Sequence, residues 1–306
     1  MTRRGSNQYQ TRGGVSLPIP AASLVGTAIQ SVVYDVDILT AQAREALLDV
    51  LVALEVHRPA LVVVGAQAVY ERTKDVSLIE PTSTRDSDIV IDPALVASEP
   101  LIAEVMEAAG FVQDRPERPG IYVRKTTGFP PSVDLITPEA VAGPGRRAAR
   151  IQGQDKHAVG RAPGLEMVLL DRDEMGLGPI GSSSRPALRV HVAGPAALLC
   201  AKAWKLSERI ADAEAGKTWR VRPKDAVDMA RLMLASDPIV VNGKFRDCSA
   251  HPVLGEAVKT GQQRLLELFG PQGRALDIIT ITMGANANVI REAITDWIDR
   301  FSRANI

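Results

Sequence analysis

Hydrophobic residues recur at helical spacing in several stretches of the chain, beginning with TAQAREALLDVLVALEVH at residues 40–57. Apolar side chains three or four residues apart form one face of a helix, and Thr40 is a residue type that caps helix N-termini. Apolar residues have the same spacing in two later segments, PAALLCAKAWKLSERI (195–210) and KDAVDMARLMLA (224–235). We therefore predict helices in these three segments. Two more helices are predicted near residues 253–269 and 287–303.

Short apolar, β-branched runs predict strands in the first half of the chain. ALVVV (60–64) precedes GAQAVYER (65–72), which has the form of a tight turn into a helix. DIVID (88–92) predicts the next strand, after a loop over 73–85 that contains proline, serine and threonine. A helix is then expected over 95–109, because its apolar pattern stops at a glycine.

Two further strands, GIYVRKT (120–126) and SVDLITP (132–138), are predicted to form a hairpin through the Gly-Phe-Pro-Pro stretch between them. The middle of the chain, 143–192, is rich in glycine, proline and arginine. It contains strand-like pieces at LEMVLL (165–170) and ALRVHV (187–192).

Together these elements predict an α+β fold, in which a small mixed sheet with flanking helices is followed by a helical C-terminal domain. The pattern turns helical after Gly194, so we place a first domain over residues 39–193 and the helical domain over 194–306. Residues 1–38 are expected to be a flexible N-terminal tail and lead-in. Their glycine, proline, serine and glutamine content favours flexibility, and no apolar signal-peptide core follows the basic start.

The charge balance limits the kinds of partner that the chain can attract. Its 36 basic and 36 acidic residues give a formal charge of zero, so a nucleic-acid partner would need a local basic patch. No apolar run is long enough to span a membrane. The two cysteines, Cys200 and Cys248, are far apart and lack metal-site spacing. We therefore expect a protein of the reducing cytoplasm with no membrane partner.

Asp86 and Asp88 stand at the head of a predicted strand, in the sequence TSTRDSDIVID. Residues two apart on a strand point to the same side, so both carboxylates would face one surface. Their mutual repulsion favours a cation between them, and magnesium binds one or two carboxylates together with substrate phosphates. The alternative is that both are solvated turn residues that happen to begin a strand.

Two nearby features favour the interpretation as metal ligands. Asp134 interrupts the apolar strand SVDLITP, where a charge is costly unless it is paired or coordinated. If that strand lies beside the one that begins at Asp86, three carboxylates converge. The turn formed by Gly65, Ala66 and Gln67 opens a helix whose free N–H groups are suited to phosphate.

A row of basic residues is a third feature. Lys202, Lys205 and Arg209 lie at i, i+3 and i+7 of a predicted helix and so share one face. Such a row is either a solvated surface or the wall of a cleft that neutralises a triphosphate. Carboxylates for metals, a backbone nest and basic residues for phosphates are together what phosphoryl transfer requires. We therefore interpret the aspartates as metal ligands.

With these features the chain resembles the DNA polymerase β-like nucleotidyltransferase superfamily. That signature is a strand–Gly–helix turn, a DxD on the next strand and a third acid on a later strand. AKAWKLSER and RPKDAVDMARLM resemble the helices of AbiEii and MenT-type nucleotidyltransferase toxins. The turn here reads Gly-Ala-Gln, where the family typically has Gly-Ser or Gly-Gly. The matching helical positions are Lys202, Arg209, Lys224, Asp225 and Asp228.

The resemblance implies a nucleotidyltransferase-like catalytic domain that moves a nucleoside monophosphate from an NTP to an acceptor hydroxyl. It implies that Asp86, Asp88 and Asp134 hold Mg²⁺ or Mn²⁺, and that Asp134 also helps to deprotonate the attacking hydroxyl. Lys202 would neutralise the departing pyrophosphate. Asp225 would orient Lys202 or a substrate hydroxyl, or else complement the helix N-terminus.

Two basic runs are candidates for binding the acceptor. GRRAARIQGQDKH contains Arg146 and Arg147, and GKTWRVRPK contains Arg220 and Arg222 beside Trp219. Such patches suit an RNA backbone and a stacked base, and solvated loops are the alternative. In the toxin family that the chain resembles, the acceptor can be tRNA. RNA such as tRNA is therefore the favoured acceptor, and a cognate antitoxin is a further candidate partner.

Two other functions stay open on the sequence alone. The first is transfer to a small molecule, such as an aminoglycoside, or to a protein. The second is a non-catalytic protein of the same fold that binds a nucleotide or a partner. An assay with labelled nucleotides separates these alternatives.

Overall fold

A mixed β-sheet forms the centre of the described part of the chain, which in this computed structural model comprises residues 38–124, 130–181, 184–271 and 273–304. The strands in these residues are β1 (Leu61–Val64), β2 (Asp86–Ile91), β3 (Phe111–Gln113), β4 (Ile121–Arg124), β5 (Ser132–Pro138), β6 (Gly160–Ala162), β7 (Arg172–Leu177) and β8 (Leu188–Ala193). The predicted N-terminal tail lies outside the described residues, except for Ile38, which begins the first helix.

Helices precede, interrupt and follow the strands. Within the described ranges they are α1 (38–53), α2 (Gly65–Arg72), α3 (Ile102–Ala108), α4 (Pro195–Glu214), α5 (Pro223–Leu234), α6 (Pro238–Ser249), α7 (Gly255–Phe269), α8 (Ala275–Met283) and α9 (Ala287–Arg303). Three of them, α4, α5 and α6, begin with a proline at the first turn, where its missing N–H is not needed. None of the described helices has the length and apolar character needed to cross a membrane.

The strands are hydrogen-bonded in the order β3-β4-β5-β2-β1-β8-β7, and β6 also pairs with β5. The pairs β2–β5, β1–β8 and β5–β6 are parallel, whereas the others are antiparallel. The predicted α+β class with a mixed sheet is confirmed, as is the hairpin pairing of β4 with β5.

The central strands are buried because their apolar side chains face helices. All four residues of β1 are buried, and in β5 Val133 and Leu135 are buried on the face opposite Asp134. On that apolar face, α1 lies close enough for Ser87 Oγ to donate a hydrogen bond of 2.9 Å to the Ala43 carbonyl. Each buried aliphatic side chain contributes about 1.5–3 kcal/mol, so this packing fixes β2 and β5 side by side.

One hydrophobic core extends from the sheet into the C-terminal helices. Its buried members include Val192 of β8, Leu199 of α4, Met229 of α5 and Ile294 of α9. The sheet ends at Ala193 and α4 begins at Pro195, which is where the sequence pattern becomes helical. The described residues from 38 onward belong to one compact unit, in which the C-terminal helices pack against the sheet.

Two predicted helices have different bounds in the structure. The helix predicted over 40–57 spans 38–53, and Thr40 does not cap it, because the Thr40 Oγ1 accepts a hydrogen bond from the Thr84 N–H (3.2 Å). The helix predicted over 95–109 begins only at Ile102. Pro100 lacks an N–H and disfavours helical backbone in the residue before it, which accounts for the late start.

The polar middle of the chain was the least accurately predicted region. LEMVLL forms a short 3₁₀ turn, Glu166–Leu169, and the strand predicted there is wrong. The strand predicted at ALRVHV is confirmed as β8. A short apolar run is equally compatible with a buried strand and a buried turn, so periodicity alone could not separate them.

Candidate functional site

Asp88 and Asp134 are direct neighbours in the sheet. In the parallel pairing of β2 with β5, Asp88 lies opposite Asp134 and Asp86 lies opposite Ser132. These four positions share one face of the sheet, because alternate residues of a strand point the same way. The structure therefore brings together the three carboxylates that the sequence marked as candidates. Ser132 Oγ also donates a hydrogen bond of 3.0 Å to Asp86 Oδ1.

Burial and repulsion by neighbouring carboxylates favour the protonated forms of Asp134 and Asp88. Burial, together with the charges of Asp88 and Asp86, raises the pKa of Asp134 to about 8. The Asp134 Oδ1 atom is buried and has no hydrogen-bond partner among the described residues. Burial also raises the pKa of Asp88, against the opposing charge of Lys205 and with reinforcement from Asp86. The charge of Lys205 therefore offsets the burial of Asp88 and Asp134 only in part.

The carboxylate of Asp88 occupies the space beside Gly65, the first residue of α2. Gly65 has a φ of +71°, and a Cβ atom at this position would overlap with Asp88 Oδ2. Glycine is thus required here both by backbone conformation and by the approach of the acid. The turn places the start of α2, where backbone N–H groups lack helical partners, next to the carboxylates.

Gln67, in the turn predicted to bind a nucleotide, has its side chain engaged in hydrogen bonds within the fold. Its side chain is fully buried and accepts a hydrogen bond of 2.8 Å from Arg44 Nε. It also donates one to the Thr40 carbonyl (3.3 Å). This side chain fastens α2 to α1, so only the backbone N–H of Gln67 is left for the nucleotide binding predicted at the turn of Gly65, Ala66 and Gln67. Ala66 and Gln67 keep backbone N–H groups near the start of the helix.

Lys202 lies in a buried ion-pair cluster between α4 and α5. Its Nζ atom is 3.2 Å from Asp225 Oδ1 and 2.5 Å from Asp228 Oδ2, and its side chain is 7% exposed. Burial alone would lower the pKa of Lys202, but the charges of Asp228 and Asp225 outweigh it and raise the pKa above its usual value. Lys202 is therefore permanently charged and fixed in position.

Asp225 combines the two roles that the sequence left open. It lies in the first turn of α5, where a negative charge complements the helix N-terminus. It also accepts hydrogen bonds from Lys202 and Arg209. Burial alone would raise the pKa of Asp225, but Lys202, Lys205 and Arg209 together lower it. Arg209 is thus committed to Asp225, which reduces its availability to a nucleotide.

Lys205 and Lys224 are the cations left available near the acids. Neither side chain makes a hydrogen bond or ion pair with another residue in the described ranges, yet both act electrostatically on Asp88. Burial and the neighbouring Lys202 lower the pKa of Lys224. Lys224 matched the family pattern but was not predicted to be a site residue. Its position immediately before Asp225 was the signal that marked it.

The two predicted acceptor-binding runs differ in the structure. Arg146 and Arg147 line a cleft of about 370 Å³ together with Arg150, Lys156 and His157, which makes the cleft strongly basic. Arg220 instead donates a hydrogen bond of 3.1 Å to Asp212, while Arg222 is exposed immediately before α5. Trp219 between them is 74% exposed.

The fit of a divalent cation can be judged from the donor set. Across the described residues, no group of three or more histidine, cysteine, aspartate or glutamate side chains is already arranged as a metal centre. Magnesium, however, usually takes one or two carboxylates and completes its shell with water and substrate phosphate. The paired Asp88 and Asp134, with the unpartnered Oδ1 of Asp134, supply that smaller set of oxygen donors.

Comparisons of the chain with models of protein families, with curated proteins and with solved structures found no match.

Proposed function

We propose that this protein is a metal-dependent nucleotidyltransferase that moves a nucleoside monophosphate from an NTP to an acceptor hydroxyl. The observation that carries the proposal is the register of β2 against β5, which sets Asp88 opposite Asp134 with Asp86 on the same face. An unpaired buried carboxyl oxygen costs stability unless a ligand satisfies it. The cluster thus has the form of a cation site maintained at the expense of stability.

In this proposal Asp86, Asp88 and Asp134 hold Mg²⁺ or Mn²⁺. The bound cation supplies positive charge that stabilises the transferring phosphoryl group. It would also satisfy the Asp134 Oδ1 atom, which has no partner among the described residues. Burial and repulsion, which disfavour two neighbouring carboxylates in the free protein, are offset when the cation binds.

The triphosphate is held by cations and backbone N–H groups around the acids. Lys205 and Lys224 contribute positive charge without a competing ion pair in the described structure. Lys202 adds a fixed charge behind them, since it also acts on Asp88. The start of α2 at Gly65 offers N–H groups and the positive end of a helix dipole.

Asp134 is the residue that accepts the proton of the attacking hydroxyl. A carboxylate can serve as a general base, and Asp134 is ionised for this role once a cation offsets the burial and repulsion that raise its pKa in the free protein. The acceptor oxygen forms a bond to the α-phosphorus, and the bond from that phosphorus to the pyrophosphate oxygen breaks. The proton remains on Asp134, and pyrophosphate leaves beside the lysines.

The acceptor in this proposal is RNA such as tRNA. The cleft formed by Arg146, Arg147, Arg150 and Lys156 supports it, because clustered cations bind a phosphate backbone and compensate for the zero net charge of the chain. Arg118, which acts electrostatically on Asp134, lies in the sequence between Glu117 and Pro119, two residues that line this cleft. A role as the toxin of a toxin–antitoxin pair follows from the sequence resemblance.

Incubation with each α-labelled NTP, magnesium and total RNA tests the proposal. Label in RNA supports an RNA acceptor, whereas label in protein or in an added small molecule supports the same chemistry with another acceptor. The Asp88→Asn variant is the matched control, because asparagine has the same shape and no charge. Failure of every NTP to yield a labelled product would overturn the proposal.

A further inference from the structure

Helix α5 holds the segment that joins α2 to Asp86. Arg231 of α5 is 2% exposed. Its guanidinium donates hydrogen bonds to Thr73 Oγ1 (3.0 Å) and to the Thr73 carbonyl (2.6 Å), and it also bonds the Ile79 carbonyl. A buried guanidinium is costly unless it is hydrogen-bonded. Through these hydrogen bonds Arg231 holds the loop at a defined position against α5.

The same helix contacts the loop a second time, closer to the acids. Thr82 Oγ1 donates a hydrogen bond of 2.9 Å to Asp228 Oδ1. The other oxygen of this carboxylate, Oδ2, accepts the 2.5 Å hydrogen bond from Lys202 Nζ. One buried carboxylate thus joins the loop before Asp86 to the cation behind the site, and Thr82 fixes the plane of that carboxylate.

We propose that Thr82 is a positioning residue that acts through Asp228 to hold the Lys202 ammonium in place. The functional part of this inference rests on the proposed nucleotidyl transfer, in which Lys202 contributes charge near the triphosphate. Thr82 itself contacts neither metal nor nucleotide. Without its hydroxyl, the Asp228 carboxylate keeps, within the described residues, only its hydrogen bond to Lys202, and Asp225 is left as the one carboxylate partner of Lys202 that another side chain also holds.

The ammonium group of Lys202 provides a readout that does not depend on activity. Buried lysine ammonium protons in an ion pair exchange slowly with water, and a ¹⁵N-lysine spectrum reports that exchange. The Lys202→Met variant assigns the signal. One hydrogen bond changes such an equilibrium by about three- to tenfold, so we expect ammonium exchange to be faster by this factor in Thr82→Val.

The Thr82→Ser variant retains the hydroxyl and is expected to restore slow exchange, whereas Thr82→Ala should behave like Thr82→Val. In transfer assays Thr82→Val should lower kcat while the KM for the acceptor stays unchanged. Thermal melting of all three variants provides the folding control.

The outcomes distinguish the positioning role of Thr82 from the proposed nucleotidyl transfer. If the ammonium signal of Lys202 is the same in Thr82→Val, Thr82→Ser and the wild type, the positioning role is refuted whatever the activity. If the signal changes while the wild type transfers no nucleotide, Thr82 positions Lys202 and the proposed function fails.

Discussion

The Asp88 carboxylate lies in the space that a side chain on Gly65 would occupy. Gly65→Ala therefore combines an unfavourable φ of +71° with displacement of a site residue. We expect a loss of about 1–2 kcal/mol in the free energy of unfolding from the backbone alone, and a much larger loss in nucleotidyl transfer.

The matched control is Gly110→Ala, at a glycine with a φ of +81° and no heavy atom within 4 Å of the added Cβ. This variant carries the same backbone cost without touching Asp88. Urea denaturation and transfer rates should show similar destabilisation of the two variants but loss of activity only in Gly65→Ala. Equal activities would mean that the position of Asp88 is unimportant.

Replacing Asp134 with asparagine should lower the rate of nucleotidyl transfer and raise the free energy of unfolding. The folded-state pKa of about 8 lies above the ordinary value of 3.8, so ionisation opposes folding and wild-type stability falls as pH rises between these values. Asp134→Asn removes this effect, and without metal at pH 7 it should be more stable by on the order of a few kcal/mol.

Urea denaturation at pH 5 and pH 7.5 in the presence of a chelator measures this difference. The gain of Asp134→Asn over the wild type should grow with pH, while Asp86→Asn, at an exposed position of the same cluster, should show a smaller gain, since it removes only one of the charges that raise the pKa of Asp134. An identical pH dependence for Asp134→Asn and the wild type would refute the assigned electrostatics.

Removing Lys202 should lower the free energy of unfolding, whereas removing Lys205 should affect only the binding of the NTP. Lys202→Ala leaves Asp225 and Asp228 buried without their lysine, which typically costs about 3–5 kcal/mol. Lys205→Ala removes an exposed cation that has no ion pair in the described structure. We therefore expect it to raise the KM for the NTP without changing stability.

Melting temperatures and steady-state kinetics with varied NTP separate these effects. A stable Lys202→Ala protein with normal kinetics would contradict the ion-pair cluster. A Lys205→Ala protein with an unchanged KM would remove Lys205 from the triphosphate site.

RNA binding should depend on the basic cleft and on salt. If Arg146 and Arg147 contact phosphates, the affinity for RNA falls steeply with salt, with a slope set by the number of contacts. Reversing both charges to glutamate should flatten that slope and reduce RNA labelling while NTP binding persists. The same double change at Arg220 and Arg222 tests the second run.

Arg300→Glu combined with Arg303→Glu, at two exposed side chains of α9, is a control for the same change in net charge. Binding is measured as a salt series for each variant. Curves that superimpose on the wild type for both arginine pairs would mean that these arginines are a solvated surface, and the acceptor would have to be sought elsewhere.

The sequence predicted the parts of the site that follow from local pattern. Asp86 and Asp88 share a face because strand geometry requires it, and the apolar residues around Asp134 marked its strand. The register that sets Asp88 opposite Asp134 depends on packing against α1. That contact is long-range, so the convergence of the acids was only a conditional prediction.

The roles of individual polar side chains were harder to predict. Gln67 turns to Arg44, which is 23 residues away, and Lys202 turns to Asp228, which is 26 residues away. Helical spacing shows which residues share a face but not which partner occupies that face. Lys202 and Lys205 therefore looked alike in the sequence, although one is buried in an ion pair and the other is exposed.

Strand β7 and helix α6 were not predicted, because their compositions are atypical of a strand and of a helix. Edge strand β7 has the sequence RDEMGL, whose polar residues do not alternate with apolar ones. Helix α6 contains adjacent valines and a glycine, which are poor helix formers. Both form because neighbouring strands and helices supply the packing that their own sequences do not encode.

The transfer rate of Asp88→Asn compared with that of the wild type tests the metal-dependent chemistry most directly. Asparagine preserves the shape beside Gly65 and removes the negative charge, so the fold should persist in circular dichroism and thermal melting. Loss of a metal ligand removes several kcal/mol of transition-state stabilisation, and we predict a fall in kcat/KM on the order of a thousandfold. Near-normal turnover by a folded Asp88→Asn protein would contradict the assignment of these acids as a catalytic metal site.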